Sequence, residues 1–160
     1  MKPVTNYAQF MLNMQADRYR KAVEELPEDA LNWRPADETT NSVAQLVRHV
    51  YEGLPWLLGI ATGDGPPPMD QEARQARHLH SLRNDPATRQ ELLGIITTGM
   101  AQTNDLLAKI DDTDLSEEIT PMGRPRQRFF FVGLTVDHAA EHLGHAELTK
   151  QLWEQRGHTE

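Results

Sequence analysis

The chain has 160 residues, 38% of them hydrophobic and 25% charged, which suits one domain over residues 1–160 built around one core. A net charge of −8 argues against a partner held by phosphate neutralisation, and so against nucleic acid. The absence of cysteine excludes disulfides, thiolate ligands and a cysteine nucleophile, so any metal must sit on His, Asp, Glu or backbone oxygen.

The opening MKPVTNYAQFMLNMQ lacks the apolar run of a signal peptide, and no stretch approaches the ~20 apolar residues of a membrane span. A cytoplasmic protein without a membrane partner is expected. The first helix is predicted from about Val4 to Leu26, with Tyr7, Met11, Met14, Arg18, Ala22 and Leu26 at helical spacing and a stop at Pro27. The second follows ADETTN, where Thr40 or Asn41 can cap, and continues through SVAQLVRHVYEGLPWLLGIA. Pro55 lies inside it and predicts a kink or a restart, since an internal proline costs roughly 3 kcal/mol.

A long link from about Thr62 to Asp85 comes next, with GDGPPPMD as a loop and DQEARQARHLHSLR as a short helix with a solvated amphipathic face. The third helix is expected from about Pro86 to Ile110 and the fourth from about Phe129 to Gln155, stopping near Gly157. TPMGRPRQ, between them, reads as a loop. Four such segments make an all-α four-helix bundle the natural solution, because each has one apolar stripe to hide.

The fourth helix carries VDHAAEHLGHAELTKQLW. With Leu134 as zero, His138, His142 and His145 fall near ~40°, ~80° and ~20°, and Leu148 and Leu152 near ~320° and ~0°. The three histidines are therefore predicted to face the core. Three neutral imidazoles on one buried face are three lone pairs seeking an electrophile, and a divalent metal is the simplest shared partner. His138 and His142, at i and i+4, have the spacing of two zinc ligands on one helix. A third ligand must come from elsewhere, and His49 on the second helix is the best candidate. Such a site should release metal as pH falls through about 6, where imidazoles begin to protonate.

A carboxylate-bridged di-iron centre needs Glu-x-x-His, and Glu141 is followed by Gly144 instead. A haem bundle stays open, without cysteines for covalent attachment. Arg124, Arg126 and Arg128 precede the fourth helix and offer either a place for an anionic substrate or a solvated loop. Trp33, Trp56 and Trp153 suit packing, and Trp56 shares the His49 face and can wall a pocket.

LNWRPADETTNSVAQLVRHV together with HAAEHLGHAELTKQL resembles the DinB-like (damage-inducible, DinB/YfiT-like) superfamily over nearly the whole chain. The resemblance implies a metal-binding bundle in up-down-down-up order with a long crossover between helices 2 and 3, commonly a homodimer. Its metal triad falls on His49, His138 and His142, with zinc or nickel expected and iron also accepted by imidazole. The family pattern continues with Gly and Gln, here Gly144 and His145. His145 is thus open to three roles: a hydrogen-bond donor to a ligand, a general base, or a fourth ligand. Relatives include metal-dependent transferases that use small thiols such as bacillithiol or mycothiol. By that resemblance the expected function is a metal-dependent thiol S-transferase acting on a small electrophile, with His145 catalytic and Trp56, Arg124, Arg126 and Arg128 binding substrate. The alternative is a non-catalytic metal-binding stress-response module with a closed histidine shell.

Overall fold

The computed structural model describes residues 2–36, 39–63 and 70–156. Among the described residues six α-helices follow one another: α1 (Pro3–Glu25), α2 (Glu28–Leu31), α3 (Val43–Thr62), α4 (Gln71–Ser81), α5 (Arg89–Lys109) and α6 (Arg128–Gln155). The long ones, α1, α3, α5 and α6, form the bundle. Between α5 and α6, β1 (Glu118–Ile119) pairs antiparallel with β2 (Arg126–Gln127), so part of the expected TPMGRPRQ loop is a short ladder. The expected GDGPPPMD loop and the stop near Gly157 fall largely on residues outside those described. No helix among the described residues is long and apolar enough to cross a membrane.

Helix direction follows from which residues meet. Gln15 Nε2 donates to the Val136 carbonyl and Glu25 pairs with Lys150, so α1 and α6 run parallel. Gln9 meets Asn104, and Arg89 reaches the Val23 and Leu26 carbonyls, so α5 runs opposite to α1. Gln45 meets Asn84 just before α5, and Gly99 lies against Tyr51, so α3 and α5 are parallel. The order is up-down-down-up, with the α4-bearing link as the crossover.

The helix ends obey local chemistry, with one shift of position. Ser42, rather than Thr40 or Asn41, caps α3: its Oγ accepts from the Gln45 N–H, and Gln45 Oε1 accepts from the Ser42 N–H. Pro86 stays outside α5, which Thr88 and Glu91 cap reciprocally. Asp70 caps α4, the expected short helix.

α3 runs through Pro55 as one continuous helix, so the helix does not restart there. Proline deprives the Tyr51 carbonyl of its donor four residues on. That carbonyl faces Gly99 of α5, where a Cβ would lie 2.8 Å from Tyr51 Cβ and closer still to the oxygen. The glycine lets the two backbones approach, so that α5 packs against the interrupted turn.

The buried face of α6 is Phe131, Val132, Thr135, Ala139, Leu143, Ala146 and Thr149. This corrects the sequence-derived stripe. Leu148 and Leu152 are exposed, and the true core face is displaced from them by roughly a third of a turn. His138 and His142 therefore flank the core and are half-buried, and His145 is exposed rather than core-facing.

Candidate functional site

The site lies where α3, α4 and α6 meet. One ring nitrogen from each of His49, His138 and His142 falls within 4.8 Å of the others. Their ring centroids are 4.9 Å (His49–His138), 4.8 Å (His49–His142) and 4.5 Å (His138–His142) apart. The antiparallel α3–α6 pair brings one ligand to face two, the latter one helical turn apart on α6.

Burial, then mutual repulsion, pushes the His49 pKa down to about 3 and that of His142 to about 4. His138 is lowered too, chiefly by burial. Neutral imidazoles at pH 7 are the form that ligates a metal. Proton competition therefore sets in below the pH of about 6 inferred from free imidazole.

Ser81, at the end of α4, fixes the His49 ring. Its hydroxyl donates to the His78 carbonyl at 2.7 Å and also lies 2.9 Å from His49 Nδ1. With the hydroxyl proton committed, His49 Nδ1 must donate to Ser81 Oγ, leaving Nε2 with its lone pair. This is the support a metal-binding histidine needs. Three neutral ring nitrogens this close together, one ring with its tautomer fixed by Ser81, are a group that could hold a divalent cation. Ser81→Ala should weaken metal binding by ~10–100-fold without unfolding the protein, as read by competition with a chromophoric chelator. An unchanged affinity would show that Ser81 does not position His49.

A cavity of about 220 Å³ opens beside the triad, lined by His49, Gly53, Trp56, Leu57, Leu134 and His138, and by Arg74, Arg77, His78 and Ser81 of α4. The expected pocket wall at Trp56 is thus in place. The expected solvated face of α4 is corrected: residues at i, i+3, i+4 and i+7 from Arg74 turn toward the cavity. That spacing is visible in the sequence, but where the crossover folds back is not.

His145 lies outside this cavity. Its Nδ1 is a long 3.4 Å from His142 Nδ1, and it lines a separate hollow with Pro35, Asn41, Leu46, Leu148, Thr149 and Leu152 among others. Arg124, Arg126 and Arg128 do not line the triad's cavity either. Arg126 sits over the Phe130 ring, and Arg128 pairs with Glu117 and donates to the Ala61 carbonyl, tying the start of α6 to the end of α3.

The lowered pKa values carry a stability consequence. Between pH 6.5 and about 4 the unfolded chain binds more protons at these histidines than the folded one, so their contribution is lost as pH falls. The thermal midpoint of metal-free protein should drop across that window, and His49→Gln should flatten the profile. Superimposable profiles would refute the assignment.

A crystal structure of a conserved protein from Enterococcus faecalis superposes with a TM-score of 0.75 at 20% identity, covering 95% of this chain and 97% of that one. It shows a shared fold. No curated protein matches the chain. Residues 11–146 match the DinB superfamily, a match that spans both His49 of α3 and the His-x-x-x-His of α6. The chain belongs to the DinB superfamily.

Proposed function

We propose that the protein is a metal-dependent enzyme that transfers a low-molecular-weight thiol to a small electrophile in the cavity beside the triad. The observation that carries this reading is the convergence of three neutral imidazoles at the edge of a cavity, rather than in a sealed core. His49, His138 and His142 would hold a zinc, nickel or iron ion. Such an ion, when bound by three protein ligands, leaves a position free and lowers the pKa of a thiol that enters it.

The chain's own residues supply the remainder. Ser81 holds the His49 ring, and His145, on the far side of His142, steadies that ring through its Nδ1. Trp56, Leu57 and Leu134 exclude water from the place where sulfur meets carbon. A carbon–sulfur bond forms, the bond from carbon to its leaving group breaks, the leaving group departs with the electron pair, and the thiol proton passes to solvent.

The test is conjugation of bacillithiol, mycothiol, glutathione or coenzyme A to a haloarene by metal-loaded protein. A metal-dependent rate abolished by His142→Ala is the expected result. No rate above free thiol with any pair, together with no thiol signature in the spectrum of the cobalt-substituted protein, would leave the metal-binding module as the better account. His145 beside His142 is the observation that favours that second reading, and its signature would be a closed four-histidine shell. A homodimer belongs to the same proposal, supported by the family and by Tyr7, Phe10 and Met14 exposed on one face of α1. Light scattering at micromolar concentration checks it.

A further inference from the structure

We propose that the cavity beside the triad is a subsite for a small amphipathic anion, its acidic group held by Arg74 and Arg77 and its apolar body lying on Trp56, Leu57 and Leu134. The inference takes from the proposed function only that the triad is the reactive end of the cavity. It does not depend on thiol chemistry.

The first observation is charge. The protein has 24 acidic residues against 16 basic ones, so a surface arginine has abundant carboxylates to pair with. Arg18, Arg20, Arg83, Arg89 and Arg128 do so, whereas among the described residues Arg34, Arg48, Arg124 and Arg126 do not. Arg74 and Arg77 are half-buried on the cavity wall, and among the described residues neither has an acidic side chain within ion-pair distance. Glu52, whose charge acts on Arg77, is itself engaged by both terminal guanidinium nitrogens of Arg83. Burying a cation is costly, and burial pushes the Arg77 pKa down, with the charge of Glu52 only partly offsetting it.

The second observation is orientation. Arg77 is held in place without being neutralised. Its Nη2 donates to the Glu52 carbonyl at 2.8 Å, and its guanidinium sits 5.4 Å over the Trp56 ring. Arg74, one turn earlier, makes no side-chain hydrogen bond to the described residues. A fixed guanidinium with N–H groups to spare, beside a second free one, is the arrangement that receives a carboxylate or phosphate.

The third observation concerns the rest of the wall. Gly53, Trp56, Leu57 and Leu134 are apolar, and the buried indole N–H of Trp56 has no acceptor among the described residues. A volume of about 220 Å³ lies below the roughly 300–1,000 Å³ typical of sites for drug-sized ligands, which sets the occupant as small. An anion on a short apolar body satisfies both walls at once: the arginines take its charge, and its body reaches along Trp56 and Leu134 toward His49 and His138.

The experiment uses 3-phenylpropionate and phenyl phosphate as the anionic probes and 3-phenylpropanamide as the neutral isostere, titrated by calorimetry into metal-free and metal-loaded protein. Metal-free protein is expected to bind at least one anion tenfold or more tightly than the amide, and which anion wins identifies carboxylate or phosphate as the natural group. In Arg74→Gln/Arg77→Gln that preference should vanish while metal content stays unchanged. Arg74→Gln alone removes no hydrogen bond among the described residues and should lower the preference severalfold, which keeps the test decisive if the double variant folds poorly. Equal binding of anions and amide, no anion binding at millimolar concentration, or a preference seen only with metal and unaffected by the substitutions would each overturn the proposal. Because no thiol is present, failure of conjugation and failure of anion binding are separate results.

Discussion

Alanine at His142 is expected to leave the protein with almost no bound metal, and alanine at His49 or His138 to do the same. Each substitution reduces three imidazoles to two, and the remaining pair is too few for a tight site. The loss should exceed the ~10–100-fold expected when only a supporting hydrogen bond is removed, as in Ser81→Ala. Folding should survive, because all three rings are half-buried at the flank of the core rather than packed in its centre. Elemental analysis of protein purified without a metal-affinity tag reads the result. Near-full metal content in any one variant would remove that residue from the triad. His145→Gln is the internal contrast: it lies outside the converging group and should keep its metal.

The largest effect on stability is expected from Gly99→Ala. A methyl there would press on the Tyr51 backbone and Cβ, at 2.8 Å from the latter, and backbone cannot rotate out of the way as a flexible side chain can. Overpacking of this kind costs ~1–3 kcal/mol, and the upper end applies because α3 is already short of one hydrogen bond at Pro55. Gly94, on the same helix, has nothing within 4 Å of where its Cβ would be, so Gly94→Ala should stabilise by up to ~1 kcal/mol through helix propensity alone. Urea midpoints of the two variants should move in opposite directions. A shift of the same sign and size would mean that the α3–α5 approach is not what Gly99 provides.

The bundle was legible because its four long segments carry apolar residues at helical spacing and end at recognisable punctuation. The triad was legible through one spacing, i and i+4 on α6, and one shared family motif on α3. The face of α6 was misread for a physical reason. Of its seven buried residues four, Thr135, Ala139, Ala146 and Thr149, are small side chains that let helices approach closely but carry little hydrophobic signal. The bulkier Leu148 and Leu152 dominate any hydropathy count and yet are exposed. Ser81 escaped notice, and Arg74 and Arg77 read as part of a solvated face, because their role depends on α4 folding back against α3. Gln45 Nε2, donating to the Leu82 carbonyl and to Asn84, and Arg48 Nη1, donating to the Asp85 carbonyl, pin the crossover there. Those bonds join residues more than thirty positions apart, a separation at which local patterning carries no information.

The crossover topology gives the triad a mechanical meaning as well as a chemical one. His49 and His138 are about 90 positions apart, so an ion held between them would act as a staple across most of the chain, comparable in the chain-entropy model to a cross-link contributing about 4–5 kcal/mol. A protein without cysteine would thereby obtain by coordination what other small domains obtain from a disulfide. Unlike a disulfide, such a latch would be opened by protons or chelators rather than by reductants, and its release would loosen α6 from α3 at the point where the cavity opens. Backbone amides of α6 around Ala139 and Leu143 should then exchange with solvent faster after chelation, and the fold's resistance to unfolding would follow the supply of metal.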